Sequence, residues 1–255
     1  MFVKCFVNQK IELASAQPGR LRVFCGGDYL SNWLADAQRT GYREAELSSK
    51  LGRLNRELAG GVCAGLGEFG LLHFNKQEYQ NIIQLRPTFA AVLEVIDVVA
   101  KNGSWIQLHA EPMEPEGVSR RADAFGALAL WHQRHPDLKF ILSHTAMTSA
   151  VNAKRLLAAY PNAMMTIKLP PRTGWTYLEP VSNERGLLYE DWAELFDEMP
   201  ERFMVGSDAK FDNAKHGSGD NYPRLVKLYR DVLGSLKPSA AELIANGNAR
   251  KVFKF

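Results

Sequence analysis

Cysteine is scarce in this chain, and its placement excludes two common uses of the residue. The 255 residues include only three cysteines, Cys5, Cys25 and Cys63, and no two of them have the C-x-x-C spacing. An odd number of widely spaced cysteines indicates neither a disulfide framework nor a thiolate zinc site. We therefore expect all three to be buried, small apolar residues in a protein of a reducing compartment.

Long apolar runs and clusters of like charge are also missing. Nowhere do 18 apolar residues follow one another, and the apolar start of the chain is interrupted by Lys4, which disfavours a membrane span or a secretory leader. The 31 basic and 28 acidic residues are dispersed, whereas nucleic-acid-binding proteins carry a clustered basic surface. These absences predict a cytoplasmic protein that has neither a membrane nor a nucleic acid as partner.

The chain contains no G-x-G-x-x-G turn of the kind that binds dinucleotides. The glycines of GLGEFG (Gly65–Gly70) lack that spacing, and they surround an acid where a phosphate would need bare backbone donors. A doubly wound nucleotide-binding sheet is therefore the weaker of two α/β interpretations. With 255 residues and 46% hydrophobic composition the chain can bury one large core, and we expect a single domain over residues 1–255.

Short β-rich runs alternate with longer amphipathic runs, which is the pattern of parallel strands joined by helices. The spacing predicts a helix within Pro87–Gly103 with Thr88 as its N-cap, and a helix break near Gly41. This alternation favours a (β/α)₈ TIM barrel of the α/β class over an open doubly wound sheet. The seven strand candidates are the N-terminal MFVKCFV and segments at Arg20–Asp28, Gly61–Gly70, Ser104–Ala110, Leu138–Thr145, Ala163–Leu169 and Arg202–Asp208.

Four of these strand candidates end near a side chain that can bind a metal or move a proton. In a barrel the carboxyl ends of the strands open into one mouth, so residues far apart in sequence meet there. Imidazole and carboxylate groups suit zinc or a similar divalent ion. Taken singly, each residue is more often a hydrogen-bonded histidine or a capping acid, but together they favour one site. They are Glu68 in GLGEFG, His109 in IQLHAEP, His144 in ILSHTA and Asp208 in MVGSDAKF.

Taken in order, these motifs resemble the amidohydrolase superfamily. GLGEFG, LHAEP, DLKFILSHTA, RFMVGSDAKF and the terminal IANGNARKVF are similar to the later motifs of its amidohydrolase-2-type metal-dependent hydrolases, and the resemblance covers residues 61–255. It implies a TIM-barrel enzyme with a divalent metal cofactor, zinc in the first place, with manganese and iron as alternatives.

The resemblance also implies roles for single residues. His109 matches the family's fifth-strand metal ligand, and His144 matches the sixth-strand histidine that binds a second metal or polarises the substrate. Asp208 matches the eighth-strand aspartate, which contacts the metal and accepts a proton from its water. Glu68 stands where some branches place a glutamate that bridges two metals.

One motif of the superfamily is missing. Its members carry an H-x-H pair at the end of the first strand, whereas the first histidine of this chain is His73. We therefore expect a barrel that is incomplete at its N-terminus, begins near the family's second or third strand and has six or seven strands in this chain. Open sheet edges invite self-association, so a homo-oligomer is an open expectation.

Substrate contacts are predicted from charge and position. Lys168, Arg172 and Lys210 would place positive charge at the mouth and attract a carboxylate or phosphate group, unless they are solvated surface residues. Glu111 and His73 follow strand-end motifs closely enough to touch a substrate. The predicted function is hydrolysis of a small-molecule amide, ester or lactone by a metal-activated water, with Asp208 and His144 catalytic. A metal-dependent decarboxylase and a catalytically inactive, truncated barrel are the alternatives.

Overall fold

The computed structural model describes residues 12, 14, 16, 17, 19–61, 63–74, 82–169, 179–208 and 218–254. These residues form two compact units. The first unit is Val23–Leu142, and the second comprises the described parts of Met1–Arg22 and Ser143–Phe255. The predicted N-terminal strand MFVKCFV lies outside the described residues, and the single-domain assignment stays a prediction.

The first unit is a layer of parallel strands connected by helices. Four strands pair in parallel in the order β1-β2-β4-β5, and a two-residue strand, β3, pairs antiparallel with β2. The strands are β1 (Val23–Gly26), β2 (Cys63–His73), β3 (Ile83–Gln84), β4 (Trp105–Ala110) and β5 (Lys139–Leu142). The helices are α1 (Gly27–Thr40), α2 (Glu44–Ala59), α3 (Ala90–Lys101) and α4 (Arg121–Arg134).

Apolar spacing explains why α1 forms and where it ends. Leu30, Leu34 and Ala37 recur at helical spacing and are buried, so they form the apolar stripe of an amphipathic helix. The stripe ends at Gly41, whose φ of 83° lies in the left-handed region that glycine adopts without steric cost. The predicted break near Gly41 is therefore confirmed, because α2 begins only at Glu44.

Two of the cysteines depart from the sequence expectation. Cys25 and Cys63 are buried, as predicted, but they form a disulfide with a Cα–Cα distance of 5.8 Å. They lie on the neighbouring parallel strands β1 and β2, 38 residues apart in sequence. Spacing along the chain could not reveal this pairing, because the register between the strands brings the two residues together. Cys5 lies outside the described residues.

The second unit contains two described strands, which pair in parallel. They are β6 (Ala163–Ile167) and β7 (Phe203–Val205). All five residues of β6 are buried, as expected for a strand covered on both faces. The helices are α5 (Ala150–Ala159), α6 (Glu190–Glu198), α7 (Ser218–Gly234), α8 (Pro238–Glu242) and α9 (Asn248–Phe253), with a short π-helical segment over Leu243–Gly247.

Two local predictions were wrong. The strand expected over Leu138–Thr145 ends at Leu142, and the next residues turn into a left-handed conformation. The helix expected to be capped by Thr88 begins at Ala90, because Thr88 lies in a turn that the N–H of Phe89 closes on the carbonyl of Arg86. Within the described residues, no helix combines the length and the apolar character needed to cross a bilayer.

Candidate metal centre and active site

Four polar side chains of the first unit meet at the carboxyl ends of β2 and β4. Glu68 lies within β2 and His73 ends it, whereas His109 is the penultimate residue of β4 and Glu111 follows that strand. His109 and Glu111 are two positions apart and therefore lie on one face. Glu68 and His73 are five positions apart, but a register shift between them restores a common face.

His109 has a carboxylate against each of its ring nitrogens. Its Nδ1 lies 3.3 Å from Oε1 of Glu68, and its Nε2 lies 3.2 Å from Oε1 of Glu111. Nδ1 of His73 lies 2.8 Å from the same Glu111 oxygen and 3.1 Å from Nε2 of His109. The other Glu111 oxygen accepts a hydrogen bond of 2.5 Å from the backbone N–H of Phe74. Three donor atoms, from His73, His109 and Glu111, therefore converge.

Electrostatics couple His109 to its two acidic neighbours. Burial alone would lower the pKa of His109, but the charge of Glu68 and the hydrogen bonds with Glu111 and Glu68 raise it to about 9. Burial alone would raise the pKa of Glu111, but hydrogen bonds with His109 and His73 lower it to about 2. His109 and Glu111 are only 9% and 3% exposed, so these opposite charges hold each other inside the unit.

The donor set fits a divalent cation. Four ligand atoms arranged tetrahedrally at about 2.0 Å from a zinc ion lie about 3.3 Å from one another. The separations among Nδ1 of His73, Nε2 of His109 and Oε1 of Glu111 are 2.8, 3.1 and 3.2 Å. Two imidazoles and one carboxylate are also the chemistry of a zinc site that keeps an open position. His73, His109 and Glu111 could therefore hold such a cation.

His144 lies in an unusual turn of the second unit. Four consecutive residues without a glycine, His144 to Met147, have φ between 49° and 59°. Each left-handed residue other than glycine costs about 1–2 kcal/mol, and strain of this kind clusters at functional sites. The turn is buried, and the N–H of His144 donates to Oγ1 of Thr166 on β6 at 3.2 Å. This geometry fixes the backbone from which the His144 imidazole projects.

Lys168 and Asp208 form an ion pair at the carboxyl ends of β6 and β7. Lys168 follows β6 directly, and its Nζ donates to Oδ2 of Asp208 at 2.6 Å. Their side chains are 15% and 28% exposed, so the pair is only partly screened by solvent. Asp208 has a φ of 48°, so it too is a non-glycine residue held in the left-handed region near a strand end.

Tyr229 is a residue of this region that the sequence did not indicate. Its hydroxyl donates to the carbonyl of Ile167 at 2.9 Å and accepts from the N–H of Leu169 at 3.3 Å. It therefore binds the backbone on both sides of Lys168. The carbonyl of Gly206 also lies 3.3 Å from the hydroxyl. A tyrosine on an amphipathic helix is ordinarily a core residue, and no pattern in the sequence could have distinguished this one.

The structure places the described site residues in two groups, one in each unit. In the first unit Glu68 and His109, predicted as metal ligands, lie beside His73 and Glu111, which the sequence assigned to the substrate. In the second unit Lys168 pairs with Asp208, and His144 lies in the left-handed turn. Arg172 and Lys210 lie outside the described residues.

Comparison with known proteins agrees with the motifs. A family model described as amidohydrolase matches residues 69–255, well over half of the chain. No curated protein matches the chain.

Several solved structures are similar in fold at low sequence identity. A 2,6-dihydroxybenzoate decarboxylase in complex with 2,6-dihydroxybenzoate has a TM-score of 0.56 and 16% identity, over 97% of this chain and 75% of that one. A dihydroxybenzoic acid decarboxylase from Polaromonas, with manganese and the inhibitor 2-nitroresorcinol, has a TM-score of 0.54 and 14% identity, over 97% and 73%. An uncharacterised TIM-barrel protein from Bordetella bronchiseptica has a TM-score of 0.53 and 12% identity, over 97% and 71%.

Similarity at these identities concerns the fold alone, and it confirms the predicted α/β, TIM-barrel-like architecture. The family match is independent of it and includes His109, His144 and Asp208. The chain therefore belongs to the amidohydrolase family.

Proposed function

We propose that this chain is a metal-dependent enzyme that hydrolyses a small molecule of the amide, ester or lactone class. The observation that carries the proposal is the convergence of His73, His109 and Glu111, whose donor atoms lie at the mutual separations of ligands around one divalent cation. A bound divalent cation supplies a water with a pKa near 7 and polarises a carbonyl oxygen. The family match supports the same chemistry.

Glu68 acts in this proposal as a positioning residue. The sequence predicted it as a metal ligand, but its Oε1 contacts Nδ1 of His109, the nitrogen opposite the one that faces His73 and Glu111. A carboxylate that accepts the Nδ1–H of a ligating histidine fixes the tautomer in which Nε2 is free to bind. Glu68 would therefore orient the His109 ring and increase its basicity.

Asp208 is the proposed proton acceptor, and Lys168 the proposed contact for an anionic substrate group. Lys168 already donates to a carboxylate, that of Asp208, at 2.6 Å, which is the geometry that a substrate carboxylate would require. Tyr229 forms hydrogen bonds with the backbone on both sides of Lys168. These bonds fix the backbone from which the ammonium group of Lys168 extends. His144, whose backbone is fixed by its left-handed turn, is proposed to polarise the substrate.

Metal analysis of the purified protein tests the proposal first. We expect bound zinc, manganese or iron in the wild type and little in His109→Asn, while His135→Gln serves as the matched control. His135 pairs with Asp97 at the end of α4 and does not belong to the cluster. A wild-type protein that neither contains nor binds a divalent metal, and whose thermal stability does not respond to added metal, would contradict both enzymatic interpretations and favour the inactive barrel.

The reaction class is then decided by two product measurements. Screening small lactones, esters, amides and aromatic acids in ¹⁸O-labelled water distinguishes the two enzymatic candidates. Incorporation of ¹⁸O into the acid product supports hydrolysis. Release of CO₂ without such incorporation identifies a decarboxylase on the same scaffold.

A further inference from the structure

A second cluster of ligand-type side chains lies in the first unit, around the two buried cysteines. Cys25 belongs to β1 and Cys63 begins β2, and Glu57 of α2 joins them. One ligand atom from each of these three residues lies within 4.8 Å of the other two. Cys25 and Cys63 are 3% and 4% exposed, so the cluster is covered by the unit.

The two oxygens of Glu57 have different surroundings. Oε1 accepts a hydrogen bond from Nε of Arg53 at 2.8 Å. Oε2 is buried and has no hydrogen-bond partner among the residues that the structure describes. The hydroxyl of Tyr29 is likewise buried without a partner in the described part of the chain. Buried polar atoms are nearly always satisfied, and an unsatisfied one indicates an ion, a water or a chemical role.

Tyr29 and Arg53 connect these atoms into one polar region. The guanidinium carbon of Arg53 lies 4.6 Å from the centre of the Tyr29 ring. Burial, and after it the charge of Glu57, raises the pKa of Tyr29 to about 12, so this hydroxyl keeps its proton at neutral pH and remains a hydrogen-bond donor. A carboxylate oxygen of Glu57 therefore lies near two sulfur atoms, and the Tyr29 hydroxyl, which has no partner in the described part of the chain, belongs to the same polar region.

We propose that the reduced Cys25–Cys63 pair, together with Glu57, binds a thiophilic divalent cation such as zinc. Two thiolates and one carboxylate form a ligand set that zinc accepts. Their three negative charges equal the two positive charges of the cation plus the one of the Arg53 guanidinium. The buried charges are therefore compensated, as is usual in proteins. The cation would bind Oε2 of Glu57, which has no partner among the described residues. A water bound to the cation at an open coordination position would accept a hydrogen bond from the hydroxyl of Tyr29.

The disulfide makes this site dependent on oxidation state. A dithiol reductant that becomes a disulfide transfers two electrons and two protons to Cys25–Cys63, which breaks the S–S bond and leaves two thiols. Binding of the cation then forms two metal–sulfur bonds and releases the two thiol protons to water. The oxidised chain offers only the carboxylate of Glu57, and we therefore expect it not to retain the cation.

Cobalt(II) tests the site separately from the histidine centre. We reduce the protein with a dithiol, remove the reductant without air and add Co²⁺, whose thiolate complexes show a charge-transfer absorption in the near ultraviolet. We expect this absorption in the reduced wild type and its absence in the oxidised protein. It should persist in His109→Asn, because the proposed catalytic centre contains no sulfur. Failure of the proposed function therefore leaves this result unchanged.

Variants identify the ligands. We expect Cys25→Ser and Cys63→Ser to lose the absorption and Cys5→Ser to keep it. Glu57→Gln leaves both cysteines in place, so it tests the site even if the serine variants fold poorly, and we expect it to weaken Co²⁺ binding by at least about tenfold. The proposal is overturned if the reduced wild type shows no thiolate absorption, if Cys5→Ser abolishes it, or if Glu57→Gln binds Co²⁺ as the wild type does.

Discussion

Nε2 of His109 lies 3.2 Å from Oε1 of Glu111. The two residues are separated by a single position in sequence, at the point where β4 ends, so the strand itself sets their distance. Strands are more rigid than loops. Ligand atoms positioned by a strand can therefore keep their distances to within the fraction of an ångström that a reactive site requires.

Removing the charge of Glu111 should weaken divalent-metal binding. Glu111→Gln keeps the shape of the side chain but replaces a ligating carboxylate with a neutral amide, so we expect zinc affinity to fall by at least about tenfold. Isothermal titration calorimetry measures the change. Glu114→Gln is the control, because Glu114 pairs with Arg120 outside the cluster. Equal losses in the two variants would mean that Glu111 is not a ligand.

The hydroxyl of Tyr229 should support both stability and turnover. Tyr229→Phe leaves the buried N–H of Leu169 without its partner, which costs about 1–3 kcal/mol of unfolding free energy. We also expect kcat to fall more than KM changes, because the Lys168–Asp208 pair loses its support. Urea unfolding and steady-state kinetics measure the two effects. The control is Tyr189→Phe, at a residue that is 44% exposed, which should change neither the unfolding free energy nor kcat. An unchanged kcat in Tyr229→Phe would mean that Tyr229 has a purely structural role.

Asp97 should make stability depend on pH. A hydrogen bond from Arg134, opposed by burial and reinforced by His135, lowers the pKa of Asp97 below its ordinary value. A depressed carboxyl pKa contributes stability above the pKa of the unfolded state, about 3.9, and this contribution is lost as the pH falls through the lower pKa of the folded state.

We therefore expect Asp97→Asn to lower the thermal midpoint by about 2 °C at pH 7, and this deficit should begin to shrink as the pH falls below about 4 and vanish below the lowered pKa of the folded state. Differential scanning calorimetry over this range is the measurement. Glu198→Gln is the control, because Glu198 and its partner Lys154 are 53% and 52% exposed and such pairs contribute little. A deficit of equal size at pH 7 and pH 3 would show that the effect of Asp97 is not electrostatic.

Gly65 should tolerate no side chain. A Cβ atom added there would lie 2.3 Å from the carbonyl oxygen of Trp105 on the neighbouring strand. Gly65→Ala would therefore force β2 and β4 apart, and we expect a loss of about 2 kcal/mol or more in unfolding free energy, together with weaker metal binding. Gly126→Ala, in open space on α4, should instead stabilise by up to about 1 kcal/mol. Similar free energies in the two variants would contradict the close strand contact.

Periodicity predicted the elements of this chain well wherever local sequence determines them. The break at Gly41 and the strands that deliver Glu68 and His109 follow from residue pattern alone. The strand ending in His144 was predicted too long, because the apolar run stops at Leu142 and the polar residues Ser143 to Thr145 are buried in a turn and not in an extended strand. The pattern of residues could not distinguish a strand end from a buried left-handed turn.

What depends on register or on distant packing was missed. The contact of His73 with His109, which follows a register shift in β2, was not predicted. The disulfide of Cys25 with Cys63 and the contacts of Tyr229 with β6 join residues far apart in the chain. No local pattern records such distances, since they arise only after the strands have paired.

The left-handed run from His144 to Met147 has a consequence for directed evolution. Glycine would adopt the left-handed conformation of each of these residues without steric cost. Substitution by glycine would therefore relieve strain in the run, which includes the predicted catalytic histidine, His144. A selection for heat resistance alone would favour glycine there, for example at Ala146. Glycine at that position would also make the backbone that positions His144 more flexible. Substitutions that raise thermal stability should therefore be sought outside this turn, where they do not disturb the position of His144.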